Sequence, residues 1–157
     1  MQSRGCLLRI VKLCFIDWQH GMKKLESLTR KLNLFAEKNT DILAVLLVGS
    51  YARNKQHEKS DIDIMIITTD EMKYLNDYNW INMIAESSAV EKENWGMVNT
   101  LRCFSDQTEI EFNICPTEWI TLPTDPGTER VLRDGYKIIF ERNNSLREIQ
   151  SFIPEIS

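Results

Sequence analysis

Leu46-Leu47-Val48-Gly49-Ser50-Tyr51-Ala52-Arg53 is followed, after a short polar segment, by Ser60-Asp61-Ile62-Asp63-Ile64-Met65-Ile66-Ile67. The first stretch closes an aliphatic run, Ile42 to Val48, bounded by Asp41 and Gly49. It is short, sharply punctuated and rich in branched residues, so it reads as a buried strand rather than a helix. Gly49 lacks a Cβ and permits a tight turn with close approach of the backbone to a ligand. Ser50 stands where a helix N-cap is expected, a position that presents free N–H groups to an anion. Arg53 follows within one turn and is able to meet a phosphate.

The second stretch reads as another strand, over residues 62–67. Side chains alternate across a strand, so Asp61 and Asp63 share one face while Ile62, Ile64 and Ile66 share the other. Two carboxylates two residues apart lie roughly 7 Å from each other along the strand. Their like charges disfavour that placement unless a cation lies between them. A hard cation such as Mg²⁺ suits an all-oxygen donor set, with phosphate oxygens and water completing its octahedron. A lone Asp-x-Asp at a strand start is more often simply solvated. Its position a short loop after Gly49-Ser50, at the head of a strongly apolar strand, favours a site instead.

These residues resemble the nucleotidyltransferase superfamily, whose hallmark is Gly-Ser, a variable spacer and Asp-x-Asp. The superfamily includes polymerase-β-like enzymes, aminoglycoside-type antibiotic adenylyltransferases and the minimal nucleotidyltransferases of toxin–antitoxin pairs. The resemblance runs over roughly residues 22–140 and extends to Thr68-Thr69-Asp70, Tyr74-Leu75, Asp77, Trp80 and Thr108-Glu109-Ile110-Glu111-Phe112. It departs at Asn54, where many relatives carry Gly; Asn tolerates left-handed backbone better than most residues. The resemblance implies a Mg²⁺-dependent transfer of a nucleoside monophosphate, AMP from ATP, to a hydroxyl of a small molecule such as an aminoglycoside-like antibiotic. Asp61, Asp63 and a third carboxylate would be catalytic and metal-binding, and Gly49, Ser50, Arg53 and Lys59 would hold the nucleotide. Antibiotic-modifying relatives add a helical domain that builds part of the acceptor site, so a homodimer or a separate helical protein is expected to supply that wall here. The alternative is an antitoxin that binds or AMP-modifies a helical toxin. A third reading is a triphosphate-binding module without turnover.

The third carboxylate is sought on a neighbouring strand. Residues 97–103 and 108–114 read as a hairpin turning at Ser105-Asp106-Gln107. On its second strand Glu109, Glu111 and Asn113 share one face, and Ile110, Phe112 and Ile114 the other. Glu111 is the first choice and Glu109 the second, since any amphipathic strand shows this alternation.

Apolar positions Leu25, Leu28, Leu32 and Phe35 place a covering helix over residues 22–37. Residues 70–89 read as mostly helical. Thr124 to Arg133 leads into a short helix ended by Gly135, Tyr136 to Phe140 reads as a fifth strand, and Ser145 to Phe152 as a last helix. The expected fold is α/β (α+β), with helices on a mixed, mostly antiparallel-edged sheet of about five strands. Trp95, Trp119 and Tyr78 are candidates for a base or substrate pocket.

With 157 residues the chain suits one domain, residues 22–157, preceded by residues 1–21 as an extension or helix. Its net charge of −4 argues against a general nucleic-acid binder, although Arg53, Lys55 and Lys59 supply local positive charge for a triphosphate. The 4 cysteines, Cys6, Cys14, Cys103 and Cys115, and the 2 histidines, His20 and His57, lack zinc-ligand spacing. They read as reduced residues of a cytoplasmic protein. Cys6 to Ile16 is too short and too charged to span a membrane, so no membrane partner is expected.

Overall fold

The alternating strands find partners that bury both of their faces. A computed structural model of the chain describes residues 3–157, except for the side chains of residues 3–8, 10, 13, 14 and 17. The side chains of Cys6 and Cys14 therefore lie outside what is described. In chain order the elements are α1 (Ser3–Lys38), β1 (Ile42–Val48), α2 (Gly49–Ala52), β2 (Ile62–Thr68), α3 (Glu71–Leu75), β3 (Glu91–Trp95), β4 (Val98–Ser105), β5 (Thr108–Cys115), α4 (Pro126–Asp134), β6 (Tyr136–Glu141) and α5 (Arg147–Phe152). Short 3-10 segments occupy Asn79–Met83 and Thr117–Ile120. The six strands form a single sheet in the order β3-β4-β5-β2-β1-β6. Every pairing is antiparallel except β2 with β5, which is parallel.

One face of the sheet carries Val45, Leu47, Ile62, Ile64, Ile66, Ile110, Phe112 and Ile114. It is covered by Leu28, Leu32, Phe35 and Ala36 of α1, whose spacing places them on one helical stripe. Tyr74, Trp80, Ile81 and Ile84 complete that layer, with Trp80 stacked on Phe35 at 5.5 Å and edge-on to Phe112 at 5.3 Å. The other face carries Leu46, Val48, Met65, Ile67 and Cys115, covered by Trp119, Leu132, Leu146, Ile149 and Ile153. That cover lies over β1, β6 and β2. It stops short of the ends of β4 and β5 that carry Arg102, Glu109 and Glu111, beside Asp63.

The strands expected at 42–48, 62–67, 97–103, 108–114 and 136–140 all form. Three features differ from the sequence reading. The covering helix does not begin at Met22 but runs unbroken from Ser3. Residues 70–89 are one short helix and a 3-10 segment rather than mostly helix. Asp70 caps α3 by accepting from Lys73 N at 3.3 Å, and Asp77 then takes Asn79 N at 2.8 Å. Acidic and amide side chains of this kind compete with helix propagation. The sheet gains a sixth strand, β3, which is largely exposed and pairs only with β4. Its sequence, Glu-Lys-Glu-Asn-Trp, buries no face and so shows no hydrophobic period. No described helix is long and apolar enough to cross a membrane.

Asp41, just before β1, ties three elements together. Its carboxylate accepts from Thr68 Oγ1 at 2.8 Å, Tyr74 Oη at 2.5 Å and Lys73 Nζ at 2.6 Å. Tyr74 is buried, so removing its acceptor leaves a desolvated hydroxyl. Asp41→Ala is expected to lower the unfolding free energy by about 2 kcal/mol. Urea denaturation checks this; a loss below about 0.5 kcal/mol, the level of ordinary surface substitutions, would contradict it.

Candidate active site

Strand β1 delivers the chain to Gly49, which adopts φ +74, in the left-handed region. A Cβ built on Gly49 would overlap Asp63 Oδ2. Glycine is therefore required twice, for the turn and for the carboxylate pressed against it. The helix cap differs from the sequence reading. Val48 is the N-cap of α2 and no side chain caps it, so Ser50 lies inside the first turn. Gly49 makes the reversal itself, and the helix is already under way at Ser50. The loop beyond is held by Lys55 N to Ser50 O at 2.9 Å and by His57 N to Ser60 Oγ at 2.9 Å. Asn54 takes φ +54, the geometry for which Asn substitutes for Gly.

Parallel pairing of β2 with β5 sets Asp63 opposite Glu111 and Ile62 opposite Ile110. Asp61 and Glu109 extend the same two rows. Carboxylate oxygens of Asp61, Glu109 and Glu111 lie within 4.8 Å of one another. Asp63 faces Glu111 across the β2–β5 pairing, in reach of a carboxyl–carboxylate hydrogen bond when Asp63 carries its proton. Burial, then that bond and the charges of Glu111, Asp61 and Glu109, push Asp63 up to about 7. Burial also raises Asp61, reinforced by Glu111 and opposed by Arg102 and His57. Glu109 is raised by burial and by Asp61.

The counter-charge within the protein is Arg102, which the sequence reading did not single out. It sits opposite Glu111 on β4. Its guanidinium donates to Glu111 Oε1 from Nε at 3.0 Å and Nη2 at 2.7 Å, reaches Glu109 Oε1 at 2.6 Å, and meets Glu93 Oε1 of β3 at 3.0 Å. One guanidinium among five carboxylates leaves a negative excess. Oxygen donors alone make up the set, so the residues fit a hard dication such as Mg²⁺.

The carboxylates divide two clefts. A cavity of about 580 Å³ is lined by Gly49, Arg53, Asp63 and Glu111 at one end, and by Trp95, Met97 and Trp119 further along. A second, of about 720 Å³, is lined by Asp61, Glu109, His57, Lys59, Trp18 and His20. The expected nucleotide-binding set is thus split: Gly49 and Arg53 face the first cleft, and Lys59 the second. Glu111 and Glu109 likewise face different clefts. Trp95 and Trp119 line the first cleft, whereas Tyr78 packs against the opposite face of the sheet.

The sequence model of the polymerase beta nucleotidyltransferase family matches residues 30–117, the stretch from α1 to the end of β5 that carries all of these carboxylates. The chain belongs to this family. A nucleotidyltransferase relative from Methanocaldococcus jannaschii, named "putative protein adenylyltransferase", is 36% identical over 62 residues, covering 36% of this chain and 63% of the relative. Among solved structures, an aminoglycoside 6-adenyltransferase from Bacillus subtilis aligns with TM-score 0.43 and 12% identity over 58% of this chain and 33% of that one. A poly(U) polymerase aligns with TM-score 0.44 and 11% identity over 66% of this chain and 35% of that one. The chain thus spans less than two thirds of the relative and about a third of each solved structure. The expectation against nucleic acid as a partner gains no support from the family match or the relative.

Asp63 makes the metal-free protein sensitive to pH. Its carboxyl stays protonated in the folded state up to about 7 but ionises near 3.8 when unfolded. The unfolded state therefore loses its proton first, and this group's contribution to stability is lost as pH rises between those values. In EDTA, the stability difference between Asp63→Asn and wild type is expected to shift in favour of the variant by more than 1 kcal/mol from pH 5 to pH 8. Thermal or urea unfolding at both pH values measures it; a difference that does not change with pH would contradict the crowded-carboxylate geometry.

Proposed function

We propose that this protein is a Mg²⁺-dependent nucleotidyltransferase that moves AMP from ATP to an acceptor hydroxyl. The observation that carries the reading is the cluster of Asp61, Glu109 and Glu111, with Asp63 paired to Glu111 across β2 and β5 beside the Gly49 turn, between two clefts. Asp61, Asp63 and Glu111 would hold the cation. Bound Mg²⁺ would supply neutralisation of phosphate charge and an acidified acceptor hydroxyl. The first cleft would take the triphosphate, with the Gly49 backbone close to it, Ser50 in the adjoining turn and the Arg53 guanidinium pairing with phosphate oxygen. The acceptor would enter from the second cleft, where a carboxylate oxygen of Asp61 or Glu109 is placed to accept its hydroxyl proton, and where Lys59 adds positive charge. The acceptor oxygen forms a bond to the α-phosphorus, the bond to the bridging oxygen of the β-phosphate breaks, and pyrophosphate leaves. Free, buried Cys103 and Cys115 accord with action in the cytoplasm, where ATP and Mg²⁺ are supplied.

Two acceptor classes are in play. A protein hydroxyl is favoured by the name of the M. jannaschii relative, and a helical toxin modified with AMP would be one such protein. A small hydroxylated molecule of the aminoglycoside type is favoured by the second cleft, whose carboxylates Asp61, Glu58 and Glu109 suit a cationic, hydroxylated ligand. A second copy of the chain, or a helical partner, would complete that cleft.

With ATP labelled at the α-phosphate and Mg²⁺, label is expected to pass to one acceptor among an aminoglycoside panel, a lysate protein fraction and short RNA. Asp61→Asn/Asp63→Asn should lower the rate by about 100-fold or more, the several kcal/mol a metal supplies at phosphorus. Label on RNA would replace both acceptor classes with nucleic acid. Label transfer undiminished in the double variant would refute the active-site assignment.

A further inference from the structure

Strand β3 ends at Trp95, and Gly96, with φ +63, turns the chain into β4. Trp95 is 66% exposed and Met97 is 38% exposed. Both line the cleft that holds Gly49, Arg53, Asp63 and Glu111. A Cβ built on Gly96 meets nothing within 4 Å, so the hairpin tip stands clear of the rest of the fold. An indole held in water at the rim of a cleft is costly where it stands, and the flat face it offers suits a ring that enters the cleft.

Three of the polar side chains along the cleft, Thr100, Asn113 and Asp125, already have partners within the fold. Thr100 Oγ1 donates to Asn113 Oδ1 at 2.5 Å, and Asn113 Nδ2 donates to Ile64 O at 3.2 Å. Both side chains are buried. The Asp125 carboxylate accepts from Gly127 N at 2.9 Å, from Thr128 N at 3.3 Å and from Thr128 Oγ1. The Asn113 amide is buried and each of its ends is already engaged, which limits its approach to the edge of a base. What the cleft offers beyond its carboxylate end is an exposed aromatic face at the rim, with Thr100 and Asn113 buried and bonded to each other.

We infer that Trp95 is the platform for the nucleobase of the donor nucleotide, held by stacking and not by edge recognition. This rests on the triphosphate and metal reading of the same cleft. Stacking is tolerant of base identity because every base has a π-face, and it favours the larger purines. ATP would then serve as donor through its abundance, with GTP binding comparably.

The test is calorimetry in Mg²⁺ with ATP, GTP, CTP, UTP and inorganic tripolyphosphate, on wild type, Trp95→Ala and Trp95→Phe. Tripolyphosphate carries the phosphate end of the ligand without a base. Wild type should bind ATP and GTP within about fivefold of each other, and CTP and UTP more weakly. Trp95→Ala should weaken ATP and GTP by like factors, about five- to a hundred-fold, as loss of a base–aromatic stack does. Trp95→Phe should restore most of that loss, and tripolyphosphate should bind all three proteins alike. Unchanged ATP affinity in Trp95→Ala would overturn the inference. A wild-type preference for ATP over GTP beyond about tenfold would reveal an edge reader and overturn it too. Equal weakening of tripolyphosphate and ATP in Trp95→Ala would assign Trp95 a structural role instead. Should wild type bind neither ATP nor tripolyphosphate, the phosphate-and-metal reading itself fails, and the platform with it.

Discussion

Parallel pairing of β2 with β5 sets the Asp63 and Glu111 carboxylates side by side, and the rest of the site answers to that repulsion. Asp61 and Glu109, one register step away on each strand, deepen it. The fold offsets part of the charge with Arg102, whose planar fork reaches Glu111, Glu109 and Glu93 at once. The remainder is left for a proton on Asp63, or for a dication. A cluster of this kind gains little for the folded state by itself. Its retention at the end of an otherwise apolar strand is understandable when a cation and an anionic ligand arrive together.

The location of the site follows from where the helical cover stops. One face of the sheet is roofed by α1 and the segment from Tyr74 to Ile84. The other is roofed over β1, β6 and β2 by α4, α5 and Trp119. The carboxylate ridge stands at the border of that cover, so it has a cleft on each side. One cleft runs towards Trp95 and Trp119, the other towards His57 and Lys59. A two-substrate transfer needs such an arrangement, with both ligands reaching one charged centre from separate directions. Gly49 sits on the ridge itself, its missing side chain occupied by Asp63.

Much of this was legible in the residues. The aliphatic run ending at Gly49 and the Asp61/Asp63 alternation identify two strands and the face that carries the acids, because a period of two leaves only one assignment of faces. The hairpin carrying Glu109 and Glu111 was legible for the same reason. Its register was not drawn from the sequence, although a two-residue turn at Asp106-Gln107, both with positive φ, sets Arg102 opposite Glu111. That step would have found the arginine. Strand β3 was hidden because an exposed edge strand has no buried face to impose a pattern. The helix expected over residues 70–89 ends at Leu75, and beyond it the Asp77 carboxylate takes Asn79 N, a side-chain bond that propensity does not weigh. Whether Glu109 or Glu111 is the third ligand was open in the sequence; the two prove to face different clefts, with Glu111 beside Asp63.

On the proposed reading, the acidic ridge and the Gly49 turn together form one metal-dependent triphosphate site. Its most direct test is the affinity of wild type and Asp61→Asn/Asp63→Asn for a non-hydrolysable ATP analogue, measured with Mg²⁺ and again with EDTA. The account predicts binding by wild type with Mg²⁺ that is lost with EDTA and lost in the double variant. Binding that survives both the chelator and the substitutions would contradict it.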